Sequence, residues 1–260
     1  MHLDATAIDQ SHFFDNPKSA MSRRASKAQA RHDRRQEKTK QRSAGYARQP
    51  LEARNENQAD FLESLRSAEQ VFAIGPAGVG KTYLAARVGI RAVLEGTKDK
   101  VMIARATAAK SKHKLGFRPG DQNAKIADWM VPVMDGFKAE VSAATIESLT
   151  KAGKIEFLAF ETMQGRSLPN AFVILDEAQN CDLDDLRLFL TRIGDNSVVV
   201  VCGDHTQVGM SGITDSGLER VVNMVDDFDI EADVIEFTED DVVRSATAKA
   251  WVKAFARLTG

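Results

Sequence analysis

Gly75-Pro76-Ala77-Gly78-Val79-Gly80-Lys81-Thr82 follows the apolar run Val71-Phe72-Ala73-Ile74 and opens a largely apolar stretch over residues 81–94. A strand, a glycine-rich turn and a helix in that order gather successive backbone N–H groups around one concavity at the positive end of the helix, which suits phosphate oxygens. The spacing G-x-x-x-x-G-K-[ST] adds an ammonium that reaches the β- and γ-phosphates and a hydroxyl that ligates magnesium, here Lys81 and Thr82. Tyr83 stands where a dinucleotide-binding turn needs its third glycine, so that reading is excluded even though Gly78 and Gly80 have the G-x-G spacing.

Working outward, the runs 101–104, 155–160, 171–175, 197–202 and 234–237 read as further strands. Helices are expected over 124–141, 145–152, 182–193, 218–225 and 245–258, with a loop rich in Lys and Gly over 108–120. Continuous Val/Ile runs without alternation predict strands covered on both faces, hence a parallel sheet between helical layers. Ligands of such sheets bind beyond the carboxyl ends of the strands, where the glycine-rich turn lies. The helix over 182–193 carries acids in its first turn and arginines later, with Gly194 placed as a left-handed cap.

Val173-Ile174-Leu175-Asp176-Glu177 is an apolar strand ending in two carboxylates. Beside a phosphate loop, Asp176 is expected to hold magnesium and Glu177 to orient or deprotonate an attacking water. The valine strand then runs into Gly203-Asp204-His205-Thr206-Gln207, where the Gln207 amide is placed to sense the γ-phosphate; an ordinary Gly-Asp turn fits the spacing equally well.

With these segments in view, residues 74–82, 172–180, 190–194 and 203–207 resemble the PhoH-like family of ATPases, whose domain is similar to the first motor domain of superfamily 1 helicases. Further matching stretches are Lys114-Leu115-Gly116-Phe117, Gly165-Arg166-Ser167-Leu168 and Phe237-Thr238 with Asp241-Val242-Val243-Arg244. The resemblance covers about residues 58–255 and implies ATP binding and hydrolysis, with Gln207 as the sensor glutamine. Asn57-Gln58 resembles the adenine-reading position of helicase-like enzymes, which makes Gln58 a nucleotide contact together with Gly75 to Thr82 and Tyr83. An ATPase with one motor domain commonly takes an arginine finger from a neighbour, so Arg244 and then Arg192 are the candidates, and a homo-oligomeric ring such as a hexamer is expected. The chain departs from the family in having Ala106 after Arg105, His113 before Lys114, and Ser245-Ala246 after Arg244.

Composition bounds the rest. The chain has 260 residues, 35 basic and 37 acidic, and a net charge of -2. That balance hides an asymmetry: residues 1–50 carry 11 Lys+Arg against 5 Asp+Glu, or +6, leaving -8 for residues 51–260. The expected organisation is a basic, disordered leader over 1–50, too poor in apolar residues to offset its ordering entropy, and one ATPase domain over 51–260. The leader fits either a solvated tail or an arm that displaces counterions from nucleic-acid phosphates. The same two readings apply to Arg105, Lys110, Lys112, Lys114, Arg118 and Arg166. No run of about 18 apolar residues and no apolar N-terminal signal occur, so neither a membrane partner nor export is expected and the location is read as cytoplasmic. Cys181 and Cys202 have neither disulfide nor zinc spacing, and no zinc-protease, G-x-S-x-G or calcium-loop pattern occurs.

The sequence therefore predicts a RecA-like P-loop domain, three-layer αβα with a mainly parallel sheet. Its cofactors are ATP and Mg2+, and its expected partner is RNA or single-stranded nucleic acid. Two alternatives share the motif: a small-molecule kinase with the same phosphate loop, and a nucleotide-gated binding module with negligible turnover.

Overall fold

Alternate side chains of each strand point to opposite faces, and here both faces are apolar. Gln70–Ile74, Lys100–Arg105, Ile155–Leu158, Ala171–Asp176, Val198–Gly203 and Asp233–Glu236 form strands β1 to β6 of one parallel sheet, in the order β3-β2-β4-β5-β1-β6. The computed structural model describes residues 48–106, 131–158, 163–205 and 216–259, with side chains as far as Phe255. The chain divides into Met1–Ala47, which lies outside these residues, and Arg48–Gly260.

Seven α-helices occur among the described residues: α1 Glu56–Ser67, α2 Lys81–Glu95, α3 Val131–Glu140, α4 Ala143–Lys151, α5 Leu183–Leu190, α6 Gly217–Asp227 and α7 Ala246–Thr259. Val71, Ala73, Val101, Ile103, Phe172, Ile174 and Val200 face one way, into a core shared with Phe61 and Leu65 of α1, Ile90 of α2 and Phe137 of α3. Phe72, Ile74, Met102, Val173, Leu175, Val199 and Val201 face the other way, against Leu186 and Phe189 of α5 and Val221 of α6. The result is the expected three-layer P-loop architecture. Among the described residues, no helix is long and apolar enough to cross a membrane.

Two local expectations are corrected. The helix read over 182–193 stops at Leu190 with Thr191 as its cap, and Gly194 does not take a positive φ. Gly194 instead allows close packing, because a Cβ there would lie 2.9 Å from Pro169. Helix α1 was missed altogether, although Asn55 caps it by accepting from the Gln58 N–H at 2.8 Å and Phe61, Leu62 and Leu65 form its buried face.

One buried ionic cluster fixes the wall of the site. Glu140 at the end of α3 accepts from Arg87 Nε at 2.7 Å and Arg91 Nε at 2.8 Å, both on α2. Arg87 also donates to the carbonyls of Pro50 and Gln49, pinning the chain that enters the domain. Glu140→Ala removes the acid that holds both guanidiniums, and leaves Arg87 buried with its charge uncompensated. The expected loss is about 3–5 kcal/mol, read as a lower urea midpoint at unchanged slope. A loss below about 1 kcal/mol would mean that the pinned segment does not depend on this pair.

Candidate functional site

The phosphate loop lies at the carboxyl edge of the sheet, at the mouth of a cleft of about 630 Å³. Gly75 and Gly78 take φ of +138° and +93°, a region open to glycine at little steric cost. A Cβ on Gly75 would run into the Phe237 carbonyl, and one on Gly78 would meet the Arg244 side chain at 2.7 Å. Both neighbours belong to a strap that follows β6: Phe237 N–H donates to Ile74 O at 2.7 Å and Val243 N–H to Gly78 O at 3.1 Å. Asp241 anchors the strap, accepting from Thr238 N–H at 2.8 Å and from Asn57 Nδ2 at 2.8 Å. The Phe237 to Arg244 motif thus holds the loop and lays an arginine across it within the same chain.

Lys81 begins α2, and its ammonium donates to the carbonyls of Gly75 at 2.5 Å and Pro76 at 2.9 Å, which aims it into the loop's concavity. Burial pulls Lys81 below the usual lysine range, opposed by the charges gathered at the cleft floor, Asp204, Asp176 and Glu177 among them. Thr82 Oγ1 donates to Asp176 Oδ1 at 2.6 Å. These residues come from α2 and β4, and β5 runs between β4 and the loop's own strand β1. Cys202 on β5 fills the floor between them; burial, and after it the charge of Asp176, hold its thiol far above the usual range. It is therefore a neutral wall; both cysteines are buried and neither is in a disulfide.

Glu177 follows β4 with a left-handed backbone, φ 56° and ψ 40°, which for a non-glycine residue stores about 1–3 kcal/mol of strain. Its carboxylate accepts from Gln179 Nε2 at 2.7 Å and lies 3.3 Å from Arg105 Nη2. Gln179 in turn accepts from the Asp204 N–H at 3.1 Å. Gln179 is a site residue that sequence reasoning missed; its place two positions after the carboxylate pair was the available signal.

The structure brings Gly78, Gly80, Lys81, Thr82, Tyr83, Gln58, Asp176, Glu177 and Arg244 to one cleft. Gln58 is buried, with its amide donating to Val79 O at 2.7 Å and accepting from Arg54 N–H at 2.9 Å, so it braces the loop from behind. Tyr83 faces the same end of the cleft, with the Arg87 guanidinium 5.6 Å from its ring centre. Arg192 is not brought there. Its carbonyl accepts from Leu168 N–H just before β4 begins, so it sits at the amino edge of the sheet, the edge opposite Asp176. Of the residues assigned to nucleic acid, Arg105 turns onto Glu177 and Arg166 pairs with Glu156 at 2.7 Å. Gln207, Lys110, Lys112, Lys114 and Arg118 lie outside the described residues.

A family profile described as PhoH-like protein matches residues 50–256. The chain is similar to a PhoH-like protein of Mycobacterium bovis, 37% identical over 201 residues, covering 77% of this chain and 56% of that protein. It is also 34% identical over 209 residues to Protein PhoH of Escherichia coli strain K12, covering 80% and 58%. The chain thus spans little more than half the length of these curated relatives. Among solved structures, the large terminase of a thermophilic bacteriophage superposes with a TM-score of 0.48 at 13% identity, over 79% of this chain and 50% of that one. The family match and this chain's own P-loop fold support nucleotide binding.

Proposed function

Since this chain belongs to the family of PhoH-like proteins, we propose that it is a magnesium-dependent ATPase acting on, or regulated by, RNA or single-stranded nucleic acid. The observation that carries the hydrolytic part is Thr82 Oγ1 at 2.6 Å from Asp176 Oδ1, beside Glu177 and at the foot of the phosphate loop. A hydroxyl and a carboxylate oxygen are hard donors that magnesium accepts while keeping the rest of its octahedron for phosphate and water oxygens. The donor set therefore fits the ion, which when bound would neutralise charge on the β- and γ-phosphates.

The chain's own residues do the rest. Backbone N–H groups of residues 77–82 cradle the phosphates and Lys81 binds the transferring end. Glu177 orients the attacking water and takes its proton. Arg244, lying over Gly78, meets charge developing on the γ-phosphoryl from its own subunit, while Gln207 serves as the sensor. Tyr83 walls the end of the cleft into which the base extends, and Gln58 braces the loop beside it. Arg192, at the far edge of the sheet, can serve only a neighbour's nucleotide, and on this proposal copies of the chain assemble as a ring in the cytoplasm.

The nucleic-acid part rests on charge, the +6 of residues 1–50 set against -8 for the remainder, together with Lys110, Lys112 and Lys114. Phosphate release from ATP with magnesium, with and without poly-U RNA across a salt series, tests both parts. Turnover that RNA stimulates at low salt, with the stimulation fading as salt rises, is the expected result. Steady turnover indifferent to RNA would keep the ATPase and remove the nucleic-acid role, and absence of turnover would remove the ATPase.

A further inference from the structure

Glu177 is held from two sides, and the two holders differ in kind. Gln179 is 3% exposed, and its amide is fixed at both ends, giving to Glu177 Oε2 and accepting from the backbone of Asp204 at the end of β5. It is a rigid strut. Arg105 is the last residue of β2, directly beside Asp176 in the sheet register. Its guanidinium lies 3.3 Å from Glu177 Oε1 and 3.9 Å from Asp176 Oδ2, and its side chain keeps 27% of its surface in solvent. The head group therefore has a solvent side to move into.

We propose that Arg105 is a latch on Glu177, restraining the carboxylate in a resting orientation until the guanidinium is drawn off, while Gln179 sets the direction in which the carboxylate faces the water. Both are positioning residues, acting through Glu177. Resting on the ATPase function proposed above, this adds a restraint on turnover located at the end of β2. The geometry explains why an arginine stands there: the carboxylate cannot turn an oxygen wholly to water while a cation occupies one side of it.

The test is steady-state phosphate release by the full chain without nucleic acid, comparing wild type, Arg105→Ala, Arg105→Lys, Gln179→Ala and Lys81→Ala, with melting temperatures for each. Arg105→Ala is expected to raise kcat about threefold to fivefold, the factor that an ion pair of this exposure can hold back, with Arg105→Lys between it and wild type. Gln179→Ala is expected to lower kcat about tenfold with KM for ATP unchanged. Loss of a merely structural contact would not raise kcat. Unchanged or reduced turnover in a folded Arg105→Ala, with wild type active and Lys81→Ala silent, overturns the latch and leaves the ATPase standing. If wild type and Arg105→Ala are both silent, the ATPase function and the latch fall together.

Discussion

Lys81→Ala is expected to lower ATP turnover about a thousandfold and to weaken nucleotide binding, while leaving the melting temperature near that of wild type. The side chain contributes nothing to either core cluster; among the described residues its hydrogen bonds go to the Gly75 and Pro76 carbonyls, which water can take over in the alanine variant. What it offers a nucleotide is a charge already desolvated and already aimed. Such a charge bonds a phosphate more strongly than an exposed lysine does, because less hydration is surrendered on contact. The lowered pKa gives a second readout. Bound phosphate stabilises the ammonium and raises its pKa, so binding takes up protons at alkaline pH. Affinity is then complete below the pKa of the free protein and declines as pH rises through it. Lys81→Arg, always charged, should lose this pH dependence. A fluorescent ATP analogue titrated at several pH values measures both effects, and a Lys81→Ala protein that binds and turns over normally would remove the lysine from the phosphate site.

How much of this was legible beforehand depends on whether the information runs along the chain or across it. The phosphate loop and Asp176-Glu177 were legible because each is a contiguous run whose spacing is itself the chemistry. The parallel sheet was legible because β1, β4 and β5 are unbroken apolar runs, buried from both sides. The Arg105–Glu177 contact was not, because it requires β2 to lie beside β4 with Arg105 level with Asp176, a register that no local pattern encodes. The sequence leaves Arg105 open between a solvated face and a nucleic-acid contact. The strap after β6 was recognisable as a motif, yet only the fold shows that it closes over Gly78 and so gives Arg244 a place in its own cleft. The same fold separates Arg244 from Arg192, which the sequence could only rank. Helix α1 was missed for a local reason: apart from the exposed Ala59 it is polar outside Phe61, Leu62 and Leu65, so its period is carried by three residues.

Glu177→Gln is the second large effect, and its value lies in what it spares. Magnesium is assigned to Thr82 and Asp176 and the phosphates to Lys81 and the loop, so ATP affinity should stay within a factor of about three of wild type. Hydrolysis should fall about a thousandfold, near 4 kcal/mol on the barrier, because an amide cannot accept the proton of the attacking water. The variant is nearly isosteric, but it is not electrostatically neutral to its neighbours. Arg105 and Gln179 both donate to this position, whereas an amide has one accepting end and one donating end, so one of the two must give way. Glu177 is 35% exposed on its side chain, so water can satisfy whichever donor is released and the fold should hold. Asp176→Asn is the contrasting variant: it weakens the metal site itself and should lose magnesium-dependent binding together with turnover. Single-turnover hydrolysis beside equilibrium binding separates the two. A Glu177→Gln protein that still hydrolyses at the wild-type rate would shift the base to another acid of the cleft, and Asp204, whose backbone Gln179 already ties to Glu177, would be next in line.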